Sequence, residues 1–305
     1  MSVINTGTHP KLLWPGILAI WGQTYAEHAK EYPDLFSIMT SEKAYEEMLQ
    51  LTGFGLASIK PESQAGSYDT EVQGYVTRAI HLAYSLGYKV TYEELKDNLY
   101  EEVSRNRATA NAFSMRQTIE TVAAFIYNNA FNSTFFTTGD GVALLSASHV
   151  RTTGGTYSNL LTPGADLSEP ALEDLLIQIM QAENDRGLKI ALMARSLHVS
   201  PSEHFNAYRI LKSAGQPDTQ SNNVNVLKAT GAFPEGVKLN HYFSAPNSWF
   251  VRTNCPQGMT MFMREEPNLS MDNDFDTKNA KALAYMRFSL TCGDPRGIYG
   301  SPGNA

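Results

Sequence analysis

Between Gly87 and Gly139 the chain contains neither glycine nor proline, and no other feature limits its fold as strongly as this run, residues 88–138. Thr91 and Glu94 stand three apart, the spacing of a capping box that opens a helix. Leu95, Leu99, Val103, Ala110, Phe113, Val122 and Ile126 recur at helical intervals, and Glu101 with Arg105 adds an i,i+4 ion pair. The spacing predicts a helix from about Tyr92 to Tyr127, on the order of 50 Å long at 1.5 Å per residue. Its middle, RNRATANAFSM, is polar and small-sided, so only part of the stripe is expected to bury in its own core. A helix of that length is a spine along which other parts of the chain lie.

The segments around the spine read differently. Residues 1–50, interrupted by Pro10, Pro15, Gly16 and Pro33, read as an irregular arm. Trp14 and Trp21 in it need something to pack on, in their own domain or on a neighbouring subunit. Residues 51–75 are rich in glycine, serine and small polar residues. They predict a long protruding hairpin with an exposed turn from Lys60 to Tyr68. GFGLAS within it lacks the third glycine and the buried strand of a nucleotide loop. After the spine, Gly139-Asp140-Gly141 and Gly154-Gly155 mark turns between short strands. Ser168 and Pro170 open a helix carrying Leu172, Leu175, Leu176, Ile179 and Met180, with Gly187 as its stop. Extended LKIALMARSLHV leads to Ser200-Pro201-Ser202-Glu203, a second capping box with proline at the first helical position, for a helix to about Ser213. VNVLKAT, VKLNHYF, SWFVRTN, MTMFMRE and LAYMRFSLTC read as strands. This order gives an α+β fold rather than a doubly wound α/β one.

Chemistry is sparse. The 24 basic against 31 acidic residues give a net charge of −7, which disfavours a protein that grips nucleic acid. Only 18% of residues are charged, a composition suited to a surface largely covered by partners. Cys255 and Cys292 are too few for a disulfide framework and read as reduced thiols. The N-terminus lacks a basic region followed by an apolar core, and no apolar run approaches the roughly 20 residues of a membrane span. A soluble chain made in the cytoplasm, with no membrane partner, is expected. There is no GxSxG elbow, P-loop or HExxH. His198 and His204 lie at an interval unsuited to one helical face. Asp272, Asp274 and Asp276 alternate as in a calcium loop, but Thr277 and Leu283 stand where that loop needs glycine and glutamate. Glu93, Glu94, Glu101 and Glu102 read as helix-surface charges. His149, in SASHVRT near Ser146 and Ser148, reads as a hydrogen-bonded loop histidine whose removal costs about 1 kcal/mol. The rival reading is a hydrolase using His149 and a nearby serine. No catalytic, cofactor-binding or metal residue is assigned, and no cofactor is expected.

The order of elements resembles the major capsid proteins of tailed bacteriophages, with the Hong Kong ninety-seven-type (Johnson) fold. GFGLASIKPESQAGSYDTEVQGY matches the E-loop of that family, TYEELKDNLYEEVSRNRATANAFSMRQTIETVAAFIY its spine helix, and PALEDLLIQIMQAENDRG and PSEHFNAYRILKSAG its axial-domain helices. FFTTGDGVALLSASHVRTTGGTYSNLL is similar to Mu-type major head subunits. The resemblance implies an N-terminal arm (1–50), an E-loop with its flanks (51–88), a peripheral domain with the spine (89–165), an axial domain (166–275) and a return to the peripheral domain (276–305). It implies a subunit that assembles with itself into hexamers and pentamers of an icosahedral head around double-stranded DNA, packaged without sequence specificity. It also implies scaffold, portal and decoration proteins as partners, and location in the virion after assembly in the host cytoplasm. A charged helical extension of the kind removed by a protease is missing, which implies an uncleaved subunit or a separate scaffold. Lys60 is the only lysine of the loop, and no acceptor asparagine is marked for a crosslink. An encapsulin-like nanocompartment shell shares this fold and is the second alternative.

Overall fold

The glycine- and proline-free run folds into one long helix in the computed structural model of the chain, which describes residues 14–91, 93, 100–215, 223–274, 276–277 and 279–304. In chain order the helices are α1 (Trp14–Glu27), α2 (Tyr32–Leu35), α3 (Tyr100–Asn128), α4 (Glu169–Met180), α5 (His204–Lys212) and α6 (Val226–Thr230). The strands are β1 (Ser37–Thr40), β2 (Tyr45–Leu51), β3 (Gln73–Ile80), β4 (Leu82–Val90), β5 (His149–Val150), β6 (Thr156–Tyr157), β7 (Ala194–Val199), β8 (Val237–Leu239), β9 (Trp249–Thr253), β10 (Met259–Asn273), β11 (Ala280–Cys292) and β12 (Ile298–Ser301).

The spine is α3. Its expected first turns, with Glu94, Leu95 and Leu99, lie outside the described residues. Its buried face is not the one marked by large apolar residues. Ala108, Ala112, Met115, Ile119, Ala123, Ile126 and Tyr127 are buried at three- and four-residue intervals, whereas Phe113 is 39% exposed and Ala110 lies outside the core. Asn111, Arg116 and Glu120 share that buried face. Alanines and polar residues carry the inward stripe because another helix lies close along it. That helix is α1, in the segment expected to be irregular. Pro15 and Gly16 fall in its first turn, where a missing N–H costs nothing. Trp21 is 5% exposed and its indole N–H donates to Asn111 Oδ1 at 3.0 Å, so it packs on its own spine rather than on a neighbour. Asn111 Nδ2 donates onward to Leu86 O.

Two sheets flank the spine. One runs β1-β10-β11-β4, with β1 parallel to β10 and the other pairs antiparallel. The β10 register slips between Met263 and Asn268, where Pro267 has no N–H to give the ladder. The other runs β12-β9-β7-β8. One of its faces presents Leu197, Val199, Trp249, Val251 and Tyr299 to α4, α5 and α6, through Leu172, Leu175, Ile179, Ala207, Ile210 and Leu227. Its opposite face sends Phe250 and Ile298 into the spine's core.

Three local expectations are corrected. VNVLKAT forms α6 rather than a strand, because the Asn225 side chain accepts Lys228 N–H (3.1 Å) and Gly231, at φ 62°, closes the other end in the left-handed region. α4 is capped by Ser168 as expected but ends at Met180, and Gly187 instead closes a turn within 183–189. α5 starts at His204, since the Ser200 hydroxyl donates to Pro246 O and is not free to cap.

Glu120 fastens the arm to the spine. Its carboxylate accepts the N–H groups of Glu31 (3.0 Å) and Tyr32 (2.8 Å), the open end of α2. Burial raises this carboxyl to about 7, against the lowering effect of those two hydrogen bonds. A carboxyl raised in the folded state favours folding when protonated, so its contribution weakens as pH rises from about 4.5 through 7. Urea unfolding of the unassembled subunit at pH 5 and pH 7 should show wild type losing more stability over that interval than Glu120→Gln. Equal losses would show that Glu120 does not titrate there.

Candidate assembly surface

A hairpin leaves the body of the chain between β1 and β4. β2 and β3 pair antiparallel from Tyr45↔Ile80 to Leu51↔Gln73. Alternation puts Met48 and Ala79 on one face, where they pack with Phe262 as a small separate core. The other face leaves Tyr45, Leu49, Leu51 and Val76 exposed. The base is crosslinked by a buried histidine. His81 places Nε2 3.1 Å from Ser41 Oγ and Nδ1 3.0 Å from Ser289 Oγ, and Ser41 Oγ donates to Glu46 Oε1. Burial holds the His81 ring below its usual range, and nearby Arg287 adds to that. A neutral imidazole therefore joins hairpin and sheet. Along its length the hairpin lies on the chain's own surface: a Cβ at Gly139 would meet Tyr75 and Thr77 at 2.9 Å.

Beyond Leu51 the character changes. Residues 53–72 are almost uniformly exposed. They include Phe54 (61%), Leu56 (83%), Ile59 (95%), Tyr68 (99%) and Val72 (54%). Apolar side chains held this far out have no core to join within the subunit, and such grouping marks a surface that another molecule covers. The sequence located the exposed turn from Lys60 to Tyr68 but gave no weight to Phe54, Leu56 and Ile59 just before it.

His149 lies elsewhere, fully buried, and it does not meet a serine. Its Nδ1 is 2.8 Å from Asp140 Oδ2 and its Nε2 3.1 Å from Asn159 Oδ1. Ser146 and Ser148 approach each other rather than the ring. Asn159 is oriented by its amide group, which donates to Leu144, Pro295 and Ile298 carbonyls. Burial pushes the Asp140 carboxyl up, but hydrogen bonds from His149 and Thr138 outweigh it and hold it below the usual carboxylate range. The His149 ring stacks on Tyr157, 5.2 Å between centroids, and Tyr157 in turn carries the Arg296 guanidinium at 4.2 Å. Arg296 pairs with Asp185 at 2.6 Å, both nearly closed to solvent. The arrangement braces loop 138–159 against the C-terminal strand and offers no base to an external substrate. Sequence proximity gave no sign of Asp140, Asn159 or Arg296 as its members.

The remaining candidates are equally quiet. Burial pushes the Cys255 and Cys292 thiols up, which keeps them protonated. Asp274 pairs with Lys281 at 2.6 Å. Among the described residues no group of histidine, cysteine and carboxylate side chains is placed to hold a metal ion, and no helix is long and apolar enough to cross a membrane.

The sequence matches the phage capsid protein family over residues 77–301. No curated protein matches the chain. Among solved structures it is similar to the virus-like particle from Pyrococcus furiosus, at 12% identity over 93% of this chain and 97% of that one, with a TM-score of 0.57. It is similar to the structure from Mycobacterium phage Adephagia at 10% identity, 91% of each chain and a TM-score of 0.54. The capsid of Myoviridae phage XM1 matches at 12% identity, 91% and 93% of the two chains and a TM-score of 0.51. At these identities the likeness is one of fold.

The burial of His149 raises the expected cost of removing it. His149→Ala leaves the Asp140 carboxylate buried without its ring partner, a loss of about 3 kcal/mol in the unassembled subunit. Urea unfolding measures it; a loss under about 1 kcal/mol would show that the pair is not structural.

Proposed function

The chain belongs to the phage capsid protein family and is a major capsid protein; from that premise we propose that copies of it close as hexamers and pentamers into an icosahedral head around double-stranded DNA. The observation that carries this reading beyond the family match is the hairpin, whose outer apolar residues are built into the subunit yet find no cover in it. Its contacts belong between copies. We assign residues 1–50 to the arm, 51–88 to the E-loop and flanks, 89–165 to the peripheral domain with the spine, 166–275 to the axial domain and 276–305 to the return into the peripheral domain. The two hydrophobic cores, one along α3 and one beneath α4 to α6, support a separation of spine and axial halves, although Met259 to Leu269 of the 166–275 range pack in the core along α3.

Each interface between copies is of ordinary size in this reading, and closure comes from their number. The net charge of −7 suits a container whose walls do not bind the packaged polyanion tightly. Scaffold, portal and decoration proteins are its further partners, and assembly takes place in the host cytoplasm. A structural rather than catalytic role agrees with a His149 that is spent on buried oxygens. A cellular nanocompartment shell would use the same surfaces, but the phage family match favours the head.

The test is a paired measurement on a variant with Lys60–Tyr68 replaced by a short Gly-Ser turn. No core side chain is removed, so melting of the unassembled subunit followed by circular dichroism should be unchanged. Particle yield by sedimentation should collapse. Normal particles with normal melting would remove the hairpin from the assembly contacts. A lowered melting temperature would place the segment in the subunit's own core.

A further inference from the structure

The exposed loop of the hairpin has a closed neck, and one side chain from a distant turn grips it. Asp69 makes the closure: Oδ2 accepts Gly55 N–H at 2.7 Å and Oδ1 accepts Thr70 N–H at 2.8 Å. Below it, Thr52 N–H donates to Val72 O (3.1 Å) and Val72 N–H to Thr52 Oγ1 (3.0 Å). Ser58 and Ser67 join across the loop at 2.8 Å. Residues 56–68 therefore project from the neck as a unit. Arg186 meets the neck from outside. Its Nη1 donates to Asp69 Oδ2 at 2.6 Å and its Nη2 donates to Thr70 O. The planar fork engages a carboxylate and a carbonyl together, which a lysine ammonium cannot reproduce.

The turn that carries Arg186 is itself fixed. Asn184 Oδ1 accepts the N–H groups of Arg186 and Leu188, both at 2.9 Å. Asn184 N–H donates to Leu188 O at 2.8 Å. Next to Arg186, Asp185 is held by the buried Arg296 and by Thr152 Oγ1–H at 3.0 Å. So a braced bracket reaches out to a loop that is otherwise anchored only toward its base.

We propose that Arg186 is a positioning residue for assembly: it clasps the neck of the hairpin loop and sets the direction in which Leu56, Ile59 and Tyr68 project toward a second copy of the chain. The proposal rests on the reading of the hairpin as a contact between copies. The free arm begins where the hairpin leaves Gly139 at Tyr75. From there to Asp69 the chain extends about 20 Å at roughly 3.3 Å per residue, and a swing of about 10° moves the neck about 3.5 Å. That displacement is the size of a side-chain contact distance, enough to break one. The clasp is partly exposed, with Arg186 22% and Asp69 46% accessible, and such pairs contribute little to the stability of a subunit. Its effect belongs to geometry, repeated at every copy.

The experiment compares the wild-type chain, Arg186→Ala, Asp69→Asn and the double variant. Each is measured for melting of the unassembled subunit, threshold concentration for particle formation, and particle size distribution by electron microscopy. Wild type should form closed particles. Both single variants should melt like wild type, yet need at least about tenfold more protein to assemble and give a broader size distribution. The double variant should be no worse than the worse single, because the two act through one contact. Arg186→Lys should fall between wild type and Arg186→Ala. Single variants that assemble like wild type would overturn the clasp and leave the capsid reading standing. Lowered melting in Arg186→Ala would overturn it too, by making the residue a support of the fold. A wild-type chain that stays monomeric at high concentration would overturn the capsid reading, and the clasp with it.

Discussion

Tyr127, in the last turn of the spine, is the point on which the rest of the structure depends. It is fully buried, and its hydroxyl donates to Leu35 O at 2.8 Å. Its ring meets Phe36 and Phe250 edge-on and Phe243 face to face, at centroid distances of 5.8, 5.2 and 5.6 Å. Leu35 and Phe36 belong to the N-terminal segment, Tyr127 to α3, and Phe250 to the sheet beneath α4 to α6. One side chain thus ties arm, spine and the second sheet into a single body. Arg252 repeats the link from the sheet side, donating to Asp34 O and to Ser37 Oγ. The neighbouring His198 is driven down to about 3, first by burial and then by Arg252 and Lys238, so no ring charge enters this junction. An aromatic cluster of this kind resists shear because each ring has several neighbours at packing distance.

That rigidity sets the terms for the hairpin. A lever transmits force or position only if its base is fixed, and the base here is fixed three times: by Met48 and Ala79 on Phe262, by the neutral His81 between Ser41 and Ser289, and by the close approach of Tyr75 and Thr77 to Gly139. Outward from there the apolar residues are left mostly uncovered by the subunit, from Val72 at 54% exposed to Tyr68 at 99%. A subunit built this way spends its strong packing on the body and leaves its adaptable contacts at the periphery. In the proposed head, copies in non-equivalent positions would share one core while their peripheral contacts adjust.

The long helix, α4 with its Ser168 cap and the β-rich second half were legible in the sequence because each is decided by local spacing and local capping. The exposed loop of the hairpin was legible through the absence of an apolar period over 51–75, whereas its strands, Tyr45–Leu51 and Gln73–Ile80, lie mostly outside that range, β2 in residues read as irregular arm. What escaped was decided at long range. The spine's inward face is lined by alanines and by Asn111, Arg116 and Glu120, because α1 lies on it, so the largest apolar residue nearby, Phe113, points elsewhere. α1 itself was hidden by Pro15 and Gly16, which interrupt a helix except in the turn where they sit. VNVLKAT has strand composition, but Asn225 and Gly231 close both ends of a short helix around it. The partners of His149 and the grip of Arg186 on Asp69 join residues whose separation in sequence carries no signal.

The hairpin loop is uncovered in the subunit; in the proposed head a neighbouring copy would cover it, while the spine would be the same in both. Hydrogen exchange read by mass spectrometry, on unassembled subunits and on closed particles, measures this directly. The account predicts fast exchange over residues 53–72 in the subunit and marked slowing in the particle, with residues 108–127 equally protected in the two. Exchange over 53–72 that stays fast in closed particles would contradict it.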